Sequence, residues 1–188
     1  MKHTILYIDA CPRRESRTRR LADALIKTLD GEVERLSLSE VSMPDLDDAL
    51  VIRRNKDCKD GNYADPMYRF AKQFAAADEI VIAAPFWDLS FPAILKKYIE
   101  TISVKGITFR YSDVGVPIGM CKAKKLHYVT TAGGPTFGND FGFGYVKTMA
   151  QVMYGIPEVT NITVENMDVE GADAEKMLQD AIGALKRA

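Results

Sequence analysis

The sequence predicts an α/β protein in which helices cover both faces of a parallel five-stranded sheet. Short apolar, often β-branched runs alternate five times with longer segments in which apolar residues recur every three or four positions. The third run, residues 80–84, is apolar at every position, which is typical of a strand buried on both faces. No repeat, low-complexity tract or linker interrupts this alternation. It therefore predicts one doubly wound domain over residues 1–188.

The composition argues against several classes of protein. Hydrophobic residues make up 47% of the chain, which is enough for a sizeable core. The formal net charge of −1 gives no electrostatic case for nucleic acid, and no apolar run reaches the ~18 residues of a membrane span. The N-terminus leads straight into a strand, which predicts no signal peptide. Three widely spaced cysteines without a CxxC motif indicate a reducing, cytoplasmic setting and no metal site.

Local signals place the elements in order. A first strand is predicted at residues 4–9, and Ser16 is a good N-cap for the helix that follows. Residues 39–64 are the least regular part of the chain, and such a long loop is often a lid, an arm or a contact surface. The other predicted elements are an edge strand at 33–38, a short helix at 49–54, a polar loop at 55–63, a helix opened by Asp65 and Pro66, a strand at 80–84, a helix from Pro92 to about 103, an extended segment at 108–111, a strand at 124–131, a helix at 145–154, a strand at 159–164 and a helix at 172–186.

The loop after the first strand carries an anion-binding pattern. Ser16, Arg17 and Thr18 stand at a predicted helix N-terminus, where free N–H groups and the positive end of the helix dipole attract anions. Further arginines at 13, 14, 19 and 20 add positive charge. This pattern predicts a monophosphate pocket, although it is not a P-loop. The alternative is an ordinary N-cap with a solvated basic face.

Two more loops open on the same edge of the sheet, because right-handed crossovers bring the ends of strands one, three and four together. The third strand is followed by Pro85, Phe86 and Trp87, with N–H groups from 87 to 89, and the fourth by Gly133 and Gly134. Aromatic rings and bare backbone suit a flat ring. The alternatives are aromatics that cap the core and a tight glycine turn. A phosphate pocket beside a flat-ring pocket suits a mononucleotide, and FMN is the mononucleotide whose ring would do chemistry. No GxGxxG motif follows the first strand, which disfavours a dinucleotide site.

The same residues resemble a known family, the flavodoxin-like FMN-dependent NAD(P)H:quinone oxidoreductases and azoreductases. The resemblance covers nearly the whole chain and is most specific in four stretches. These are Ala83-Ala84-Pro85-Phe86-Trp87, Leu95-Lys96-Lys97-Tyr98, Gly106-Ile107-Thr108-Phe109-Arg110-Tyr111 and Thr131-Ala132-Gly133-Gly134.

The resemblance implies a cofactor, two substrates and a partner. NADH or NADPH would reduce bound FMN and leave, and a quinone or azo compound would then take two electrons, in a homodimer with the active site near the subunit interface. Aromatics of the loop 137–145 would stack on the nicotinamide or the acceptor, and no general acid or base is assigned. The implied FMN contacts are Cys11, Ser16, Arg17 and Thr18 around the phosphate, Pro85, Phe86, Trp87, Asp88 and Leu89 along the ring, and Thr131, Ala132, Gly133 and Gly134 at its other edge.

Two residues depart from the family pattern. Cys11 stands where the family often has serine, and it is interpreted as a structural thiol, with partial thiolate character as the alternative. Asp88 stands where azoreductases usually have asparagine. A carboxylate beside the ring would disfavour an anionic reduced flavin. Either Asp88 turns outward and only its N–H is used, or the redox potential is lowered.

Two other functions fit the predicted fold. A flavodoxin-like electron carrier without a substrate of its own tends to be strongly acidic, whereas this chain has 25 basic and 26 acidic residues. A flavin-free response regulator would need an aspartate at the end of strand three, where Ala84 and Pro85 stand.

Overall fold

The structure is a computed structural model, which describes residues 2–138 and 141–185. Within these residues, the strands are β1 Thr4–Asp9, β2 Glu32–Ser37, β3 Glu79–Ala83, β4 Phe109–Tyr111, β5 Pro117–Gly119, β6 Lys125–Thr131 and β7 Glu158–Val164. The helices are α1 Arg17–Ile26, α2 Asp48–Asp60, α3 Arg69–Ala76, α4 Ala93–Ile102, α5 Phe143–Thr148 and α6 Ala174–Leu185. Leu38–Glu40 and Pro66–Tyr68 form 3-10 turns, and Met149–Tyr154 is π-helical.

The main sheet has the strand order β2-β1-β3-β6-β7, and all its neighbouring strands are parallel. This order confirms the predicted doubly wound, flavodoxin-like fold. The chain reverses its direction of travel across the sheet between β1 and β3. Ligands of open α/β sheets bind at such a switch point, outside the carboxyl ends of the strands.

The core lies in two layers, one on each face of the sheet. In β3, Ile80 and Ile82 pack towards the side of α3 and α4, while Val81 and Ala83 pack towards the side of α1 and α6. Successive side chains of a strand point to opposite faces, so both neighbours are apolar only when both faces are covered. This is why the predicted run is apolar throughout, and β3 is fully buried as expected.

The prediction for the irregular segment was partly wrong. The structure contains a 13-residue helix, α2, where a helix was predicted only for residues 49–54 and a polar loop for residues 55–63. The Asp47 side chain caps its start by accepting from the Leu50 N–H at 2.8 Å, and Gly61 ends it with a φ of 65°. No residue of α2 is buried, so the helix carries no apolar stripe that a periodicity argument could detect.

The other differences lie at short elements and at element ends. The extended segment at 108–111 is β4, and it pairs antiparallel with β5, which the sequence did not predict. The predicted helix at 145–154 begins at Phe143 and becomes π-helical at Met149. The final helix was predicted at 172–186, and the structure has it from Ala174 to Leu185, while residue 186 lies outside the described residues. No helix in the described part of the chain is long and apolar enough to span a membrane.

Candidate functional site

Backbone hydrogen bonds carry the parallel pairing beyond the ends of the central strands. Ala10 donates to Ala83 O at 2.9 Å, Ala84 to Val129 O at 3.0 Å and Phe86 to Thr131 O at 3.0 Å. The loops after β1, β3 and β6 therefore leave the same edge of the sheet in fixed relative positions. This is the convergence that the sequence predicted from right-handed crossovers.

These loops enclose a cleft of about 470 Å³. Small-molecule sites occupy roughly 300–1,000 Å³, so its size suits a ligand such as a mononucleotide. Ten of the thirteen predicted contact residues line it, whereas Asp88, Leu89 and Gly134 do not. The cleft is lined by Cys11, Pro12, Arg13, Glu15, Ser16, Arg17, Thr18, Arg20, Pro85, Phe86, Trp87, Thr131, Ala132, Gly133 and Asp168.

The start of α1 forms one wall of the cleft. Ser16 is the N-cap, and its hydroxyl accepts from the Arg19 N–H at 3.2 Å, as predicted for a capping serine. The N–H groups of Arg17 and Thr18 have no acceptor within the helix, because they lie in its first turn. Thr18 is buried, and its hydroxyl is bonded to the Thr131 hydroxyl at 2.7 Å. The Thr18 side chain therefore ties α1 to the end of β6, while its first-turn N–H has no intrahelical acceptor and can serve an anion.

The predicted basic character of this wall needs two corrections. Arg19 does not add free charge, because its guanidinium is bonded to Asp9 Oδ2 at 2.6 Å and to three carbonyls of the first loop. Arg20 forms a bidentate pair with Glu175 of α6. The remaining arginine of the helix start, Arg17, keeps its predicted place in the cleft.

Asp168 is a cleft residue that the sequence analysis missed. Its carboxylate accepts from Arg17 Nη2 at 2.7 Å, and both side chains are substantially exposed at the mouth of the cleft. Asp168 follows β7, whose carboxyl end lies at the same edge of the sheet. The sequence prediction included only the loops that follow β1, β3 and β6. Ligands bind outside the carboxyl ends of all the parallel strands, so the same rule applied to β7 predicts that this loop contributes to the site.

Asp9, at the end of β1, organises the first loop from below. It is 1% exposed, and it accepts from Arg19, from Arg35 Nη2 at 2.7 Å and from the Cys11 N–H at 3.0 Å. Burial alone raises the pKa of the Asp9 carboxyl. The hydrogen bonds from Arg19, Arg35 and Cys11 outweigh burial, so the pKa lies below its ordinary value.

Cys11 fits the structural interpretation and not the thiolate alternative. The residue is 1% exposed, and its Sγ lies 3.7 Å from the Ala83 carbonyl. Burial raises the pKa of the Cys11 thiol to about 12, so the sulfur is protonated near neutral pH. The neighbouring helix start does not offset this cost of burial.

The turn after Phe86 is unusually tight. Trp87 and Ser90 exchange two backbone hydrogen bonds, of 3.1 and 2.8 Å, and both central residues have positive φ, 50° for Asp88 and 64° for Leu89. This pair of conformations is that of a type I′ turn, which normally carries Asn-Gly. The backbone of both residues is therefore strained here. The Trp87 N–H, predicted as a donor to the ring, is used within the turn. Asp88 is exposed, which favours the interpretation that its side chain turns outward.

The two glycines after β6 have different surroundings. A Cβ on Gly133 would lie 2.4 Å from Asp168 Oδ2, whereas a Cβ on Gly134 would meet nothing within 4 Å. Their carbonyls accept from the N–H groups of Asp168 at 2.8 Å and Asn166 at 3.2 Å. The glycine loop is therefore fixed to the loop after β7, and its outer side is open.

The aromatic loop over residues 137–145 does not reach the cleft in its described part. Phe137 is 80% exposed and Phe141 is 67% exposed, and neither lines the cleft. The Ser90 hydroxyl donates to the Phe141 carbonyl at 3.2 Å, which connects this loop to the turn after Trp87. Residues 139 and 140 of this loop, neither of which is aromatic, lie outside the described residues.

The donor set fits a phosphorylated flat ring. Ser16, Arg17 and Thr18 line the cleft at the helix start, where first-turn N–H groups, a hydroxyl and a guanidinium are donors suited to an anion, and Phe86 and Trp87 line the same cleft. In the part of the chain that the structure describes, the N–H groups of Asp88 and Leu89 have no acceptor. The helix start can therefore bind a phosphate, while Phe86 and Trp87 offer aromatic surface to a flat ring in the same cleft.

Comparison with solved structures identifies the class of fold. An azoreductase from Bacillus anthracis superposes with a TM-score of 0.82 at 21% identity, covering 98% of this chain and 97% of that one. A second azoreductase, AzrA, superposes with a TM-score of 0.81 at 22% identity and the same coverage.

The chain belongs to the flavodoxin-like fold family, whose model matches residues 3–188. It is 36% identical to a Clostridium acetobutylicum protein named FMN-dependent NADH:quinone oxidoreductase 2, over 97% of this chain and 96% of that protein. A Clostridium beijerinckii protein named FMN-dependent NADH:quinone oxidoreductase is 34% identical over the same shares. These matches confirm the resemblance predicted from the motifs.

Proposed function

We propose that the chain is an FMN-dependent oxidoreductase that takes two electrons from NADH or NADPH and passes them to a quinone or azo acceptor in a ping-pong sequence. The observation that carries the proposal is the single cleft in which the start of α1 meets the loops after β3 and β6. The names of the clostridial relatives support the same activity.

FMN, when bound, supplies reversible two-electron chemistry. The chain's own residues bind the cofactor and orient its ring. The first-turn N–H groups and Arg17 hold the phosphate, and Asp168 fixes the Arg17 guanidinium at the mouth. The N–H groups of Asp88 and Leu89 donate towards the ring edge, where they stabilise negative charge. No side chain of the cleft is assigned as a general acid or base.

The remaining predictions belong to the same proposal. The chain acts as one domain over residues 1–188 and works in the cytoplasm, as the uninterrupted pattern and the sparse cysteines suggest, and it forms a homodimer, as the resemblance implies. Nucleic acid is not a partner, because the charge is close to balanced. The same balance counts against the alternative of an electron carrier, which would use a strongly acidic face for docking.

Purification followed by a visible spectrum tests the cofactor. We expect oxidised-flavin absorbance and release of FMN, not FAD, on denaturation. Oxidation of NADH should then accelerate strongly when menadione is added, whereas an electron carrier would show no such turnover. A preparation that is colourless and does not take up added FMN would contradict the proposal.

A substitution of Gly134 tests the position of the ring. Gly134 follows the cleft residue Gly133, and a Cβ on Gly134 would meet no atom within 4 Å, so Gly134→Trp should leave the fold intact and bring a large ring to the rim of the cleft. We expect it to abolish FMN retention while the unfolding midpoint in urea stays near that of the wild type. Gly134→Ala is the matched control and should retain most of the flavin. Full retention by the Trp variant would place the ring elsewhere.

A further inference from the structure

A second cleft lies on the other side of the first loop. It has a volume of about 370 Å³ and opens between the ends of β1 and β2. Pro12 and Arg13 line both clefts, so only this loop separates the two spaces. The second cleft is lined by Asp9, Pro12, Arg13, Arg14, Arg19, Arg35, Ser37, Ser39 and Glu40.

The lining of the second cleft is strongly basic. Four arginines face two carboxylates, those of Asp9 and Glu40. Arg19 and Arg35 share Asp9, at 2.6 and 2.7 Å, and that carboxylate is too buried to meet a ligand. Asp23 lies 3.6 Å from Arg35 Nη1, so Asp9 and Asp23 together balance Arg19 and Arg35. The positive charge that remains for a ligand is therefore that of Arg13 and Arg14.

Arg13 and Arg14 are held in place by their backbone and not by their side chains. Arg19 Nη1 donates to the carbonyls of both residues, at 2.7 and 2.6 Å, which fixes the loop between the clefts. The Arg13 guanidinium lies 5.4 Å from the centroid of the Trp87 ring. Within the described residues, the Arg14 side chain has no hydrogen bond or ion pair, and Arg13 has only this ring contact. Both guanidiniums are exposed donors in fork geometry, which suits phosphate.

We propose that the second cleft binds the phosphate groups at the adenosine end of NADH or NADPH. Arg13 and Arg14 bind the phosphates. The hydroxyls of Ser37 and Ser39, which lie 3.2 Å apart and share one hydrogen bond, leave one further donor in the cleft. The nicotinamide end then reaches over Arg13 to the Trp87 side of the first cleft. This assignment rests on the proposed function, since it takes the dinucleotide as the electron donor.

A substitution of Glu40 tests the proposal through an expected gain in affinity, whereas a substitution of Arg14 should cause a loss. Its carboxylate lines the same cleft, is exposed and has no ion pair in the described part of the chain. It therefore repels a bound phosphate. Removing this charge should strengthen binding, a result that partial unfolding of a variant does not produce.

Calorimetric titration of the FMN-loaded protein measures the binding directly. The probes are ADP-ribose, which carries only the pyrophosphate, and 2′-phospho-ADP-ribose, which adds the phosphate specific to NADPH; neither contains nicotinamide. We expect Arg14→Gln to weaken binding by about tenfold, the loss typical of a charge-assisted hydrogen bond, and Glu40→Gln to strengthen it by about threefold. Arg110→Gln removes the same charge from β4, which lines neither cleft, and should change neither affinity.

The two probes separate the two sources of phosphate. Tighter binding of 2′-phospho-ADP-ribose by the wild type, lost in Arg14→Gln, assigns the cleft to the 2′-phosphate of NADPH. Equal binding of both probes, with the same loss, assigns it to the pyrophosphate that NADH and NADPH share. Equal affinities of Arg14→Gln and Arg110→Gln, or weaker binding by Glu40→Gln, would overturn the proposal.

The flavin spectrum keeps this proposal distinct from the proposed function. Arg14 and Glu40 do not line the FMN cleft, so each variant should retain FMN like the wild type. If FMN is retained and neither probe binds, the second cleft has no such role, while the oxidoreductase proposal stands. If the wild type takes up no FMN, the proposed function fails whatever the titration shows.

Discussion

At the scale of single residues, Asp9 fixes the loop between the two clefts. Its buried carboxylate holds Arg19, and Arg19 in turn holds the carbonyls of residues 11, 13 and 14. A buried charge is tolerated only when it is paired and fully hydrogen-bonded, as it is here by two guanidiniums and the Cys11 N–H. The shape of both clefts thus depends on one side chain that contacts neither ligand.

Replacing this carboxylate should destabilise the protein in a pH-dependent way. Asp9→Asn leaves two guanidiniums without their counter-ion, and we expect a loss of about 3 kcal/mol at pH 7. The folded pKa of Asp9 lies below its unfolded value of about 3.9, so its contribution is complete above that pH and disappears as the pH falls through the folded pKa.

Urea denaturation between pH 7 and pH 2.5 measures this contribution. The difference in unfolding free energy between wild type and variant should be constant from pH 7 to about pH 5 and shrink below about pH 4. Asp23→Asn is the control, because Asp23 lies 3.6 Å from the same Arg35 at the surface and should cost less than about 1 kcal/mol. A difference for Asp9→Asn that does not change with pH would contradict the assigned role.

At the scale of elements, the sequence predicted what local patterns encode. The central strand β3 was found because burial on both faces makes it continuously apolar, whereas β2 at the edge was found from its alternation of apolar and polar residues. The helix α2 was missed in part, because none of its residues is buried and its length follows from Asp47 and Gly61 at its ends. The cleft walls were predicted because strand ends in a parallel sheet converge.

The contacts within the site were not predictable in the same way. Arg17 and Asp168 are 151 residues apart in the chain, and nothing in the local pattern of either residue indicates the pair. Arg19 looks like one more cation of a basic helix face, yet it is bonded to Asp9. Sequence patterns therefore located the edge of the sheet, while charge pairing across it depends on the three-dimensional arrangement.

Alanine substitutions at two glycines test how the elements pack, and we expect them to change the free energy of unfolding in opposite directions. A Cβ on Gly119 of β5 would lie 2.1 Å from the backbone of Tyr154 and Gly155, so Gly119→Ala must separate the hairpin from the π-helical turn. We expect it to destabilise the protein by about 2 kcal/mol or more. A Cβ on Gly183 of α6 meets nothing within 4 Å, and Gly183→Ala should stabilise by about 0.5–1 kcal/mol.

Chemical denaturation of the two variants under the same conditions compares them directly. The expected order of midpoints is Gly183→Ala, then wild type, then Gly119→Ala. Equal midpoints for the Gly119 variant and the wild type would show that β5 does not pack as closely on residues 154–155 as the structure indicates.

At the scale of the whole molecule, one partly apolar cleft lies away from the cofactor cleft. This cleft of about 560 Å³ opens between α2, α4 and the β4–β5 hairpin, and apolar residues of all three elements line it, among them Val51, Ile99 and Phe109. Ile52 on α2 and Val114 in the hairpin turn are also exposed. Exposed apolar side chains around a cleft are typical of contact sites, which accords with the homodimer that the resemblance implies.

Sedimentation of the purified protein tests whether this surface forms the proposed dimer. The wild type should sediment at twice the 20.9 kDa mass of the chain. Val51 is 39% exposed on α2, so Val51→Lys should fold normally but bury an unpaired charge in the interface, and we expect the dimer dissociation constant to rise by about tenfold or more. Val33→Lys, an equally exposed valine on β2, is the matched control and should remain dimeric. A wild type that sediments as a 20.9 kDa monomer would contradict the dimer, and a Val51 variant that stays as dimeric as the control would move the interface to another face.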